Sequence, residues 1–306
     1  MISNKKIKDN ILIVIGGATA TGKTSTAIKL AQKLDSEIIS ADSRQIYKEM
    51  SIGTAKPSKD EMQNIKHHFI GHVSIFDNYD AGTYEKEVID FLDLYFKEKK
   101  IAILCGGTGM YIEAVLHGLD EFPDIPGDIK EKLTVLYKEK GISYLQQELK
   151  TKDPGYFSKV DINNPHRLIR ALSVIEFTGK KFSSFLKGKK KKRNFRHINI
   201  LLDLPREILY QRINDRVDIM LKHGLIEEAR SLYPNRHLKA LQTVGYKELF
   251  DYFDGKISID EAIELIKRNS RRYAKRQLTW FKNRGEWEIF SPQQIQEIML
   301  FIEKNL

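Results

Sequence analysis

Ten mixed residues lead into an unbroken apolar run, Ile11–Gly16 (ILIVIG). Such a run predicts a strand buried on both faces, because alternation appears only where one face meets water. Ala27, Leu30, Ala31 and Leu34 then recur at helical spacing within residues 23–35. Residues 37–40 (EIIS) read as a second short strand, ending at Ala41-Asp42, and 84–100 as an amphipathic helix. Residues 101–107 (IAILCGG) form a third buried strand, 110–119 a helix and 197–204 (HINILLDL) a further strand. Strands alternating with helices predict an α/β fold, a parallel P-loop-type sheet flanked by helices. Ligands of such sheets bind beyond the carboxyl ends of the strands. Gly17–Thr24, Asp42 and Gly106–Thr108 all follow strand ends, so they should converge on one crevice.

The pattern changes over 121–190. After a turn-rich break (FPDIPGD, 122–128) the periodicity is helical, with no buried strand. The division expected is a discontinuous core, 1–120 with 191–306, interrupted by a helical insertion, 121–190. Beyond residue 205 only helix is predicted, a helical C-terminal part. The insertion returns through KGKKKKR (187–193), which is either a solvated linker or a surface for polyanions.

Composition narrows the class. The 306 residues suffice for about two domains. With 41% hydrophobic and 30% charged residues the chain is a globular protein, not a disordered one. Lys and Arg outnumber Asp and Glu by 51 to 41, a net charge of +10 that suits a polyanionic partner such as nucleic acid. A single cysteine, Cys105, excludes an internal disulfide and a thiolate zinc site. No apolar run is long enough for a signal peptide core or a membrane span, so a cytoplasmic location and no membrane partner are expected.

The chemistry begins at GGATATGKT (16–24), which fits the template G-x-x-x-x-G-K-[ST] through Gly17, Gly22, Lys23 and Thr24. Loop amides and the following helix N-terminus make an anion nest, Lys23 adds a charge, and the Thr24 hydroxyl can ligate Mg²⁺. Asp42, in SADSRQIY (40–47), is a candidate base, a metal-associated carboxylate or a helix cap. Ser43, Arg44 and Gln45 could read a nucleobase edge. Thr108, in GGTGMY, could touch a phosphate or an amine. Thr54 and Lys56 precede a stiffening proline, and His67, His68 and His72 suit structural roles better than a metal site.

Residues 258–283 open on a capping box, Ser258 and Glu261. At about 100° per residue, Arg268, Arg271, Arg272, Lys275 and Arg276 share one arc, with Ile263, Ile266, Tyr273, Gln277 and Phe281 opposite. An arc of cations unmixed with acids predicts a phosphate-tracking surface. Trp280 and Phe281 are expected to anchor in the core.

With these residues in view, the chain resembles the tRNA dimethylallyltransferases, or tRNA isopentenyltransferases. The likeness runs through GATATGKT, ADSRQIYKEMSIGTAKP, HHFIGH, GGTGMYIEAVLHGL, NNPHRLIRALSVIEFTGK, RVDIMLKHGLIEEA, LQTVGYKEL and RRYAKRQLTWFKN, leaving only the first ten and last twenty or so residues outside it. The resemblance implies that the loop holds dimethylallyl diphosphate, with Mg²⁺. The exocyclic N6 amine of the adenosine 3′ of a tRNA anticodon would attack the allylic carbon and release pyrophosphate. Carried over by position, Gly17, Ala18, Thr19, Ala20, Thr21, Gly22, Lys23 and Thr24 would lie over the diphosphate, with Arg212 or Arg216 completing the clamp. Asp42, Lys23 and Thr108 would be catalytic. Asp42, Ser43, Arg44 and Gln45 would meet the target nucleotide. His166, Arg167, Leu168, Ile169 and Arg170 in the insertion would belong to the tRNA surface, as would Gln242, Thr243, Val244, Gly245, Tyr246 and Lys247, alongside Arg268, Arg272 and Arg276. The insertion and core would grip the anticodon stem-loop, with the chain acting as a monomer. Ala18, Thr21 and Asn164 depart from the family's usual proline, serine or glycine, and aspartate. Three other readings share the loop: an adenylate isopentenyltransferase acting on free AMP, ADP or ATP, a nucleotide-dependent kinase, and a non-catalytic RNA-binding protein with a vestigial loop.

Overall fold

The structure is a computed structural model that describes residues 8–188 and 190–306. Residues 1–7, within the leading segment, and Lys189 of the basic run lie outside the described residues. Six strands, β1 (Ile11–Gly17), β2 (Ile38–Ser40), β3 (His67–His68), β4 (Ile101–Gly106), β5 (Arg196–Leu202) and β6 (Glu288–Phe290), form one sheet in the order β3-β2-β4-β1-β5-β6. Every pairing is parallel. The helices are α1 (Lys23–Leu34), α2 (Ala81–Glu98), α3 (Gly109–His117), α4 (Gly127–Lys152), α5 (Pro154–Phe157), α6 (Pro165–Thr178), α7 (Arg206–Lys222), α8 (Leu225–Leu232), α9 (Tyr246–Phe253), α10 (Ile259–Asn283) and α11 (Ile295–Lys304).

The first strand shows why its sequence is apolar at every position. Leu12 and Val14 pack into one layer with Val88 and Leu92 of α2 and Ile112 of α3. Ile11, Ile13 and Ile15 point the other way, into a layer with Ala27 and Leu30 of α1 and Ile298 of α11. Period-two alternation is present in the geometry, but both faces are covered, so it leaves no trace in the sequence. Helix α2 starts at Ala81 because Asp80 caps it, accepting from the amides of Gly82 and Thr83.

One expectation fails at the sheet edge. The sequence predicts only helix after residue 205, yet β6 pairs with β5 through Ile200–Leu202. Two of its three residues are exposed, so no buried run marks it.

The chain divides into two compact units, Met1–His117 with Lys192–Leu306, and Gly118–Lys191. The second is helical and has its own core, including Leu133, Leu145, Leu149, Leu168, Leu172 and Phe182. Asp153, fully buried there, accepts from Tyr156 N, Ser183 N and Ser183 Oγ. Buried carboxylates need such partners. Helix α4 breaks at Gly141, which takes a positive φ of 74°. No described helix is long and apolar enough to cross a membrane.

Candidate active site

The carboxyl ends of the strands in the larger unit surround a cavity of about 700 Å³. The phosphate loop forms one wall. Gly22, at φ 93°, adopts the left-handed conformation that turns the chain into α1, a conformation open to glycine at no steric cost. Thr19, Ala20, Gly22, Lys23 and Thr24 line the cavity. Lys23 Nζ donates to Ala18 O at 2.5 Å. Burial pushes its ammonium down to about 8, and Asp42 opposes that shift.

Three residues of the loop make contacts within the protein. The Thr21 hydroxyl donates to Ala18 O at 2.8 Å, and the Thr21 amide points to the same oxygen at 3.4 Å. Ala18 is buried against Leu204 and Leu209, and a Cβ on Gly17 would meet Leu202 O at 2.8 Å. Gly17, Ala18 and Thr21 therefore shape the loop, and none of them lines the cavity.

Asp42 follows the end of β2. Asp42 Oδ1 accepts from the amides of Arg44 (2.9 Å) and Gln45 (3.3 Å). Its other oxygen, Oδ2, takes no hydrogen bond among the described residues, and Asp42 lines the cavity. The capping and base readings of Asp42 are thus compatible, one oxygen for each. Arg44 and Gln45 also line the cavity, Arg44 tied to Ala240 O at 3.1 Å and Gln45 to Thr54 O and Ala55 O at 3.2 and 3.0 Å. Ser43 faces Thr108: its amide donates to Thr108 Oγ1 at 3.0 Å, and that hydroxyl lies 3.2 Å from Ser43 Oγ. Neither Ser43 nor Thr108 lines the cavity; Tyr273 does, and burial raises its pKa to about 12.

Helix α7 supplies the cations expected of it. Arg212 and Arg216, one turn apart, both line the cavity, and Arg216 donates to Thr19 Oγ1 at 3.2 Å. Ile213, Val217, Met220 and Leu225, which the sequence reading assigned no role, give the cavity an apolar lining together with Val244 and Ile266.

Other residues expected to meet substrate divide by burial. Thr243, Val244 and Gly245 line the cavity. Tyr246 does not: it is fully buried, and its hydroxyl donates to Glu228 Oε1 at 2.6 Å. The same carboxylate accepts from the amides of Ser51, Ile52 and Gly53, so Tyr246 belongs to a lock beneath the surface. Gln242 and Lys247 are exposed. On α10, Arg268, Arg272, Lys275 and Arg276 are exposed, whereas Arg271 leaves the arc by donating to Asn214 Oδ1 at 2.6 Å. In the smaller unit His166, Arg167 and Arg170 are exposed, but Leu168 and Ile169 are core residues and present no side chain to a partner.

Several lesser expectations resolve locally. Arg193, at the end of the basic run, turns inward to Glu85 (2.9 Å) and Ala114 O (2.7 Å). Lys56 donates to Tyr47 O at 2.6 Å, a brace rather than a cavity cation. His67, His68 and His72 bind Ile65 O, Glu37 and Glu87, respectively. Two site residues given no role in the sequence reading, Tyr273 and Gln277, have a visible signal there: they are polar groups on the inward arc of an amphipathic helix.

A parallel sheet, a phosphate loop and a cavity lined by cations and a carboxylate define a nucleotide- or diphosphate-handling α/β protein. The family model described as IPP transferase matches residues 45–284, and the chain belongs to that family. It is 52% identical to a tRNA dimethylallyltransferase of Christiangramia forsetii over 97% of this chain and 99% of the relative. With a tRNA dimethylallyltransferase of Flavobacterium johnsoniae it shares 49% identity over 96% and 98%. Among solved structures it resembles the full-length tRNA isopentenylpyrophosphate transferase of Bacillus halodurans at 36% identity and a TM-score of 0.72, covering 97% and 96%. It also resembles a eukaryotic dimethylallyltransferase described as acting on tRNA, at 27% identity and a TM-score of 0.80, covering 97% and 77%.

Proposed function

We propose that this protein transfers the dimethylallyl group of dimethylallyl diphosphate to the N6 amine of the adenosine 3′ of a tRNA anticodon. The observation that carries the reading is one cavity lined both by Lys23, Thr24 and Arg216 and by Asp42, Arg44 and Gln45. The first set suits a diphosphate and the second a base edge. Family membership and the names of the relatives favour tRNA over a free nucleotide as acceptor, and over a kinase.

The amine nitrogen attacks the allylic carbon as the carbon–oxygen bond to the diphosphate breaks. Negative charge grows on the leaving oxygen, where Lys23, the loop amides and Arg212 or Arg216 offset it. Asp42 Oδ2 takes the proton that the amine must lose. Thr108, bonded to the Ser43 amide, holds the loop that carries this carboxylate and so sets where the amine meets it. The Thr24 hydroxyl and Asp42 carboxylate line the same cavity, and oxygen donors of this kind suit Mg²⁺, which keeps several of its waters. When bound there it would neutralise diphosphate charge. The base must leave its stack to enter, which an anticodon loop permits at modest cost. Exposed Arg268, Arg272 and Arg276, with His166, Arg167 and Arg170 of the smaller unit, would track the stem-loop backbone. A cytoplasmic, monomeric enzyme fits this work.

The test is direct. Purified protein with Mg²⁺ and labelled dimethylallyl diphosphate should label unmodified tRNA and leave AMP unlabelled. Equal labelling of AMP, or tRNA-stimulated ATP hydrolysis in place of transfer, sinks the reading.

A further inference from the structure

Gln277 sits on the inner face of α10, only 7% exposed, and lines the cavity. Its Oε1 accepts from Thr19 N at 2.9 Å, and its Nε2 donates to Gly107 O at 2.8 Å. The orientation of the amide is forced, since a backbone N–H can only donate and a carbonyl only accept. The turn is shaped to receive it: a Cβ on Gly107 would stand 2.3 Å from Nε2. Two residues on, a Cβ on Gly109 would stand 2.2 Å from the Trp280 ring of the same helix. One side chain thus joins the phosphate loop to the turn that carries Thr108. It does so from the helix whose outer face exposes Arg268, Arg272 and Arg276.

We propose that Gln277 is a positioning residue for the transfer, setting the diphosphate loop and the Thr108 turn in fixed register. The inference rests on the transferase reading above. Thr19 has two attachments, its amide on Gln277 and its hydroxyl on Arg216, so Gln277 also sets the place of that cavity-lining arginine. The Thr19 amide is thereby withdrawn from the anion nest, and the loop meets the diphosphate with its other donors. Reaction geometry is steep in distance, and a misplacement of about 1 Å can cost about a hundredfold in rate.

Two variants test this. Gln277→Met keeps the volume and loses both bonds. It should lower kcat by about ten- to a hundredfold and weaken inorganic pyrophosphate binding by the RNA-free protein, with stem-loop affinity unchanged. Gln277→Glu separates positioning from bulk. Its ionised carboxylate still accepts from Thr19 but sets an oxygen against Gly107 O. Protonated, it donates there as the amide does, and burial raises the pH at which it protonates. Pyrophosphate affinity of Gln277→Glu, as a ratio to wild type, should therefore rise as pH falls. Lys23, Asp42, Cys105, Arg216 and Tyr273 line the same cavity and are common to both proteins, so the ratio isolates the new acid. A Met variant with wild-type kcat and pyrophosphate affinity, or a flat ratio for the Glu variant, overturns the proposal. If the Met variant does not fold, the kcat of Gln277→Glu with both substrates saturating, as a ratio to wild type, decides. Saturation removes the carboxylate's direct repulsion of the diphosphate, so a ratio that rises as pH falls supports positioning and a flat one overturns it. Loss of the transferase reading would appear separately, as a wild-type protein that labels no tRNA, while the pyrophosphate measurement needs no turnover.

Discussion

At the scale of single residues, Lys23 and Asp42 make opposed demands on pH and geometry. Burial lowers the Lys23 pKa from 10.5 to about 8 in the protein without ligand. A diphosphate favours the charged ammonium and raises that value again, so binding near pH 8 must take up protons. Affinity for pyrophosphate should fall as pH climbs through about 8, and calorimetry in two buffers of different ionisation enthalpy should report the uptake. Lys23→Arg, whose guanidinium stays charged, should lose this component. A wild type that shares the pH profile of Lys23→Arg would rule it out. Asp42 is tested by Asp42→Asn, which keeps an Oδ1 for the amides of Arg44 and Gln45 and loses the base. Turnover should drop by about 10² to 10⁴ with melting temperature and substrate binding nearly unchanged. Near-normal turnover, or a large loss of stability, would return Asp42 to a capping role. Lys23, Thr24 and Asp42 were legible because a loop motif and a strand end fix their places locally. The bond between the Thr21 hydroxyl and Ala18 O was not legible, because a motif gives spacing and cannot show which amides and hydroxyls the loop spends on itself.

At the scale of elements, buried runs and helical periods announced four strands and the long helices, whereas β3 and β6 were silent. A two- or three-residue edge strand is held by the register of its neighbour, here Ile38–Ile39 for β3 and Ile200–Leu202 for β6, and not by an apolar pattern of its own. Helix α10 is the clearest case of partial legibility. Its period separates cations from core, but Arg271 is spent on Asn214, and Gln277 reads as merely interior until its partners are seen. Its outer face makes a measurable claim. Removing one cation that neutralises a phosphate should flatten the slope of log affinity against log salt by about 0.7 to 0.9. Changing Arg268, Arg272 and Arg276 together to Gln should therefore weaken stem-loop binding and flatten the slope by about two. Saturating RNA should restore turnover, since these exposed side chains do not line the cavity. Unchanged affinity and slope would show that the face is only solvated.

At the scale of the whole molecule, the net charge of +10 is carried by two units with separate cores. The residues that line the cavity all belong to the larger one. The smaller unit, Gly118–Lys191, contributes exposed His166, Arg167 and Arg170 on a helix whose buried face, Leu168, Ile169 and Leu172, fixes it to its own core. If a single RNA engages both units, Arg167→Gln with Arg170→Gln should weaken stem-loop binding independently of the α10 triple change. Sites that share no partner add within about 0.3 to 0.5 kcal/mol, so the combined variant should show the sum of the two losses in log affinity and in salt slope. Pyrophosphate affinity should be the same in all three proteins. Arg170 also lies over the Phe122 ring at 5.1 Å, so the helical content of the variant is checked by circular dichroism before binding is compared. A combined variant that binds no more weakly than the α10 triple alone would mean that the RNA is held by the larger unit only, and that the insertion serves some purpose other than gripping the stem.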